Sequence, residues 1–267
     1  MRDYRTSCAI CDSGEALFEL FHRETSLSTR NGHVFQSYIS RAFDNVCFLC
    51  DNEKARTKQE SRMGIELQLD REEKNDLFNA VRNRKSTRSF TDKAINFETL
   101  SKLLYFSYCF YESGHGSVPS AGGNYPIKLI LMVNNVDGLA SGLYEYEHRN
   151  GSLIPLNLNN LEILYENMTQ SLSLCVNAAF SIHFIGSCEL MCYKYQDRGY
   201  RFMNIECGHI AQNLLLVSEV LRIGAVCSGG FMDGEFIDYL NKNTFKDYER
   251  FLCLYEMFFG IRNEDEN

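Results

Sequence analysis

Apolar positions along the chain fall into two periods. Ile127 to Val133 is an apolar run broken only by Lys128, which reads as a buried strand. Gly142 to Glu147 and Ser152 to Leu156 flank His148-Arg149-Asn150-Gly151, where the Asn-Gly pair signals a hairpin. Ala178 to Ile185 and Phe251 to Phe259 read as further strands. Helical spacing places Leu77, Ala80 and Val81 on one face of a helix from Arg71 to Asn83. Asn96 reads as the N-cap of an amphipathic helix through Phe97, Leu100, Leu103, Leu104 and Ser107, which ends before Gly114 and Gly116. Leu158 to Ser171 reads as a polar helix. Asn204 to Ile223 is apolar nearly all round, which predicts a central helix stopped by Gly224 at C′. Within residues 1–75, Glu15 to Arg23 reads as a helix, Ser26 to His33 as a loop and Asn52 to Arg62 as a charged stretch. Helices and strands intermix without strict βαβ alternation. The pattern therefore predicts an α+β fold with a mostly antiparallel central sheet flanked by helices, residues 76–267 forming the main domain behind a separate segment, 1–75.

Composition then narrows the function. The 267 residues are 45% hydrophobic, enough for a buried core. A net charge of −8 argues against a sequence-independent grip on nucleic acid or on an anionic membrane surface. No apolar run approaches the ~20 residues of a membrane span, and Met1-Arg2-Asp3-Tyr4-Arg5 contains no signal core, so a cytoplasmic protein is expected. Eleven cysteines in a chain without an export signal point to reduced thiols. Cys8 and Cys11, with Cys47 and Cys50, have the form of a four-thiolate zinc site. The gap between the pairs is long for that motif, however, and Cys47-Phe48-Leu49-Cys50 reads equally as buried apolar sequence.

Three segments carry candidate chemistry. Against the acidic background, Arg82, Arg84, Lys85, Arg88 and Lys93 cluster around Ser86, Thr87 and Ser89, with Asp92 as the one acid. Guanidinium forks and hydroxyls suit a phosphate, a solvated basic turn being the alternative. Only three prolines occur, and Pro119 and Pro126 bracket Ser120-Ala121-Gly122-Gly123-Asn124-Tyr125. Such small residues let a flat ligand approach the backbone, or form a tight strand connection. Tyr193-Lys194-Tyr195-Gln196-Asp197-Arg198-Gly199-Tyr200-Arg201 reads, taken alone, as a solvated aromatic and cationic loop.

Taken in order, Arg84-x-Ser86-x-Arg88-x-Phe90, Pro119-Ser120-Ala121-Gly122 with Tyr125-Pro126, and Gly142-Leu143-Tyr144-x-Tyr146 resemble the nitroreductase superfamily. Within it, the Pro-Ser-Ala-Gly and Gly-Leu-Tyr-x-Tyr segments are similar to SagB-type azoline (thiazole/oxazole) dehydrogenases, with a weaker echo in Phe21-His22-Arg23-Glu24-Thr25-Ser26. The resemblance implies an intertwined homodimer with FMN at the subunit interface. By motif, Arg84, Ser86 and Arg88 would hold its phosphate and ribityl chain. Pro119, Ser120, Ala121, Gly122 and Gly123 would line the flavin ring. Asn213 matches a polar position near the cofactor, with a helix-packing amide as the alternative. Gly229 and Gly230 match a glycine loop, Arg262 is a candidate to complete the phosphate site, and the catalytic Lys-Tyr pair maps onto Lys194 and Tyr195. The implied substrate is a ribosomally made precursor peptide, and the implied partners are a YcaO-type cyclodehydratase and a peptide-recognition subunit. Two other readings stay open: a general NAD(P)H-dependent nitro or quinone reductase, and a non-catalytic scaffold subunit.

Overall fold

The computed structural model describes residues 16–56, 75–158 and 168–263. In chain order come α1 (Leu17–Thr25), α2 (Gly32–Phe43), α3 (Val46–Arg56), α4 (Asp76–Asn83), β1 (Ile95–Asn96), α5 (Phe97–Ser107), β2 (Ile127–Val133), β3 (Val136–Asp137), β4 (Gly142–Glu147) and β5 (Ser152–Asn157). There follow α6 (Leu172–Cys175), β6 (Phe180–Ser187), α7 (Cys188–Tyr195), α8 (Arg198–Val220), β7 (Gly224–Ser228), α9 (Asp233–Asn243) and β8 (Phe251–Gly260). Six strands form one sheet in the order β5-β4-β2-β6-β8-β7, and every neighbouring pair is antiparallel. This is the α+β architecture the sequence predicts. No described helix is long and apolar enough to cross a membrane.

Alternation along β2 explains its unbroken apolar sequence. Leu129, Leu131 and Val133 face a core shared with α5 and α8, whereas Ile130 and Met132 face a second core with Phe236 and Leu240 of α9. A strand covered on both faces has no polar side to present. Register fixes the two ends of the sheet. At one end Ile127 pairs with Gly186 and Gly186 with Leu252; at the other Val133 pairs with Phe180, Phe180 with Phe259 and Phe259 with Ala225.

Several predicted boundaries move. The Asn96 cap forms as expected, its side chain accepting from the Thr99 N–H at 2.7 Å. The central helix starts earlier, at Arg198, and its left-handed terminal residue is Arg222 (φ 58°), not Gly224. Gly224 opens β7 instead. A side chain there would sit 2.8 Å from Thr87 Cγ2 and 3.0 Å from the Phe90 ring, so its smallness admits the basic segment to the sheet edge. The stretch 193–201 is largely helical rather than a loop, with α7 ending at Tyr195 and α8 starting at Arg198. Residues 159–167 of the expected polar helix, Arg71 to Lys74, and Cys8 and Cys11 lie outside the described residues. β7 and α9 were not expected; the Gly-rich, Cys-containing sequence of β7 masks a short buried strand.

A buried carboxylate ties the sheet to the segment after α9. Glu145, 2% exposed, accepts from the Tyr248 hydroxyl at 2.7 Å and from the ammoniums of Lys128 and Lys246 at 3.1 and 3.0 Å. Burial opposes its ionisation, but these three donors outweigh it and hold the carboxyl below its usual range. Stability from this site is therefore complete above the unfolded carboxyl's value of about 4.3 and is lost as the pH falls through the lower folded value. Tyr248→Phe is expected to cost about 1.5–3 kcal/mol in denaturant unfolding at neutral pH, with the deficit shrinking in acid. A deficit that does not change with pH would contradict the assignment.

Candidate active site

The loop between the two prolines is pinned from within. Ala121–Gly123 form a single 3-10 turn, and Gly122, Gly123 and Tyr125 all carry positive φ, at 64°, 67° and 49°. For Tyr125 that conformation costs roughly 1–2 kcal/mol. It is offset by a ring hydroxyl that accepts from the Gly116 N–H at 2.8 Å and a backbone N–H that donates to Ser120 Oγ at 2.8 Å. Ser120 Oγ in turn donates to Glu206 Oε2 at 2.6 Å.

Above this loop sits the end of α7. A Cβ built on Gly122 would overlap the Lys194 ammonium and lie 2.6 Å from the Tyr195 hydroxyl. The structure thus brings together Gly122, Lys194 and Tyr195 from segments 70 residues apart in sequence. The chain turns sharply after the pair: Gln196 is left-handed (φ 51°), its N–H donates to the Cys192 carbonyl at 2.8 Å, and α8 begins two residues later. Tyr195 is half-buried with its ring edge-on to Phe202 at 5.0 Å, and Lys194 Nζ lies 5.2 Å from the Tyr195 ring centroid. Lys194 is exposed, and Arg198 lies over Phe202 rather than beside it. One copy of the chain therefore leaves this lysine in solvent.

The Phe21 to Ser26 segment docks against the same helix start. Phe18 stacks on Tyr200 at 6.0 Å, His22 Nδ1 lies 3.3 Å from the Tyr200 hydroxyl, and the Leu27 N–H donates to Asp233 at 3.0 Å. Burial pushes the Asp233 carboxyl up to about 6 and the His22 imidazole down.

The basic segment lies elsewhere. The Thr87 N–H donates to the Ala225 carbonyl at 3.0 Å and the Thr91 N–H to the Ile261 carbonyl at 2.9 Å, laying residues 84–91 along the β7–β8 end of the sheet. Thr87 is fully buried, while Arg84 and Ser86 are half-buried and Arg88 is exposed. Arg84 approaches Cys227, where its charge opposes the upward push of burial on the thiol. Arg262 is held by Glu219 and by the Ile223 carbonyl. Gly230 packs against Ser171, with Gly229 open beside it, and Asn213 donates to the Ser107 and Ser117 carbonyls at 3.1 and 3.3 Å, fixing the chain that leads into Pro119.

The two candidate segments thus lie at opposite ends of the sheet. The Pro119–Pro126 loop precedes Ile127, and the Arg84–Arg88 segment borders Ala225, whose row of partners runs through Phe259 and Phe180 to Val133. Six strand steps of about 3.3 Å separate those ends by roughly 20 Å. As for the cysteines, Cys47 and Cys50 are free and exposed on α3, and no cluster of three or more metal-ligating side chains occurs among the described residues. Sequence reasoning missed Glu206, one of two acids in α8, which the fold buries beneath the loop. Hidden polarity in an apolar helix is itself a pointer.

Residues 81–257 match the Nitroreductase family model. The chain belongs to the nitroreductase family. MJ1384 of Methanocaldococcus jannaschii, whose name also carries the word nitroreductase, is 32% identical over 187 residues, 66% of this chain and 89% of that one. The Microcin B17-processing protein McbC of Escherichia coli is 27% identical over 186 residues, 67% of each. A chain of the E. coli microcin synthetase McbBCD complex, solved with truncated pro-MccB17 bound, shares the fold with a TM-score of 0.57 at 21% identity, covering 95% of this chain and 100% of that chain. Within this nitroreductase-family chain, Gly122→Ala is expected to lower unfolding stability by about 1–2 kcal/mol, the cost of a left-handed alanine, and to push the flexible Lys194 side chain aside. An unchanged denaturation midpoint would contradict the loop geometry.

Proposed function

We propose that the protein is an FMN-dependent azoline dehydrogenase, oxidising thiazoline or oxazoline rings of a ribosomally made precursor peptide to thiazole or oxazole. The observation that carries this reading is the placement of Lys194 and Tyr195 over Gly122, in the loop that the resemblance assigns to the flavin ring. Likeness to McbC, a microcin-processing protein, supports it.

The residues present fit the cofactor. Arg84, Ser86 and Arg88 would hold the phosphate, with guanidinium forks and a hydroxyl at a site where Gly224 lets the segment lie close to the sheet. Pro119 to Gly123 and Gly229–Gly230 would line the ring, being small residues that leave backbone approachable. When bound, FMN supplies the acceptor for the hydride that an azoline ring gives up. Aromatisation also takes a proton from the neighbouring ring carbon. Lys194 and Tyr195 between them accept that proton and hold the ring, one as general base and the other through its hydrogen bond to a ring heteroatom.

The same reading requires two copies. One chain separates its phosphate half from its loop half by the length of the sheet, so each FMN would be held by the basic segment of one copy and the glycine loop of another. Leu77, Phe106 and Val220 are 56%, 58% and 61% exposed and line an apolar groove of about 320 Å³ between α4, α5 and α8. As partners, the reading includes a YcaO-type cyclodehydratase that makes the azoline and a peptide-recognition subunit. The fold shared with a chain of the McbBCD complex is what supports them.

Purified protein is expected to show flavin absorbance, to release FMN on denaturation, and to lower the mass of an azoline peptide by about 2 Da per ring, the two hydrogens removed. Lys194→Ala should retain FMN and lose about 10²–10⁴ in turnover. An unchanged peptide mass, together with rapid bleaching of the flavin by NADPH, would replace this reading with that of a nitro or quinone reductase.

A further inference from the structure

Glu206 stands in the middle of α8, 1% exposed, with the Pro119–Pro126 loop resting on it. Its Oε2 accepts a hydrogen bond from the Ser120 hydroxyl at 2.6 Å. Its Oε1 has no partner: the nearby Tyr108 hydroxyl, stacked beneath His148, donates instead to the Ile127 carbonyl at 3.0 Å. Around the carboxyl, the titratable groups are Tyr108, the C-cap of α5, and Cys207 on its own helix, with Tyr125 and Arg149 lying next around Tyr108 and His209, one turn further along α8, placing its Nδ1 3.4 Å from the Pro119 carbonyl. Neither immediate neighbour is a cation. Burial accordingly pushes Glu206 up to about 7, against the pull of the Ser120 hydroxyl.

An acid in this state costs the fold stability. Because the native state binds the proton more tightly than the unfolded chain, stability falls as the pH rises from the unfolded carboxyl range through the raised native value. Glutamine would be the better residue for the helix alone. What the acid provides lies in the loop: Ser120 Oγ is the hub that also receives the Tyr125 N–H, and between Ser120 and Tyr125 lies Gly122, under Lys194 and Tyr195.

We propose that Glu206 is the positioning residue of this loop, its ionised carboxylate gripping Ser120 and so holding Gly122 against Lys194 and Tyr195, and its protonated form loosening that grip. The inference rests on the reading of this loop as the flavin half-site, and its test uses no turnover. Ionised, the carboxylate accepts a charge-assisted bond; protonated, it accepts a weaker neutral one. Loop order therefore increases with pH while global stability decreases, opposite signs that a merely structural glutamate does not produce.

Amide hydrogen exchange of the 119–126 segment, expressed as protection factors to remove the intrinsic pH dependence of exchange, reads the grip directly. In the wild-type chain, protection at Tyr125 is expected to rise about fivefold between about pH 5.5 and pH 8.5, the ratio between a charge-assisted and a neutral bond. Glu206→Gln should hold the segment at the low value throughout, and at the alkaline end its melting temperature should be no lower than that of the wild type. Ser120→Ala, which leaves the acid in place but cuts the link, should show the same flat profile. Wild-type protection that does not change with pH, or a Glu206→Gln or Ser120→Ala loop that keeps the wild-type rise, would overturn the proposal. Either result would leave the azoline reading standing on its own tests.

Discussion

Six antiparallel strands, three of them central and covered on both faces, fix which loops share an end of the sheet. β2, β6 and β8 pair through Ile127–Gly186–Leu252 at one end and Val133–Phe180–Phe259 at the other, with one bulge at Leu254 of β8 between them. Sliding any of them by one residue would turn its side chains to the wrong core, so the register has no freedom to adjust. The loop half of the site is thereby committed to one end and the basic half to the other. What one copy keeps about 20 Å apart, a two-fold related pair can bring together, because a symmetric interface presents the complementary half of each chain to the other. The homodimer in our reading thus follows from sheet register together with the exposed apolar side chains of α4, α5 and α8.

Much of the fold was legible in the sequence, for reasons specific to particular segments. β2 matched to the residue, because a strand buried on both faces between a Pro-bounded loop and Asn134-Asn135 has sharp edges. The β4–β5 hairpin was marked by Asn150-Gly151, and α5 by its Asn96 cap. Failures came where tertiary contact overrides local signal. Gly224 looked like a helix stop but is small because Thr87 and Phe90 pack on it, and the left-handed position fell to Arg222. The Tyr193–Arg201 stretch looked solvated because its tyrosines and arginines are polar at the tip. Its helical form depends on Tyr200 packing on Phe18 and on Gly199 lying against the Met191 carbonyl, neither visible locally.

For the proposed site, motif spacing nominated candidate residues but not their grouping. That Lys194 and Tyr195 would meet Gly122 needed the three-dimensional path of α7, and that Arg84 to Arg88 would lie far from them needed the strand order. Glu206 was invisible for a different reason. Reading the 204–223 segment for apolar periodicity treats its two acids alike, whereas in the folded chain Glu219 pairs with Arg262 and Glu206 is the buried carboxylate on which the glycine loop rests. Polar groups that an apolar helix carries inward cost stability, and the sites they serve are where that cost finds its reason.

The central claim, that each catalytic site is assembled from two copies, is tested most directly by mixing two inactive variants. One carries Arg84→Ala with Arg88→Ala and lacks the phosphate half; the other carries Lys194→Ala and lacks the base. After subunit exchange, half of each mixed dimer would combine the intact basic segment of the second variant with the intact loop and lysine of the first. The account predicts that azoline oxidation, absent from either variant alone, returns in the mixture to roughly a quarter of the wild-type level, the statistical share of intact sites. A mixture that dimerises yet remains as inactive as its components would show that each site lies within a single chain.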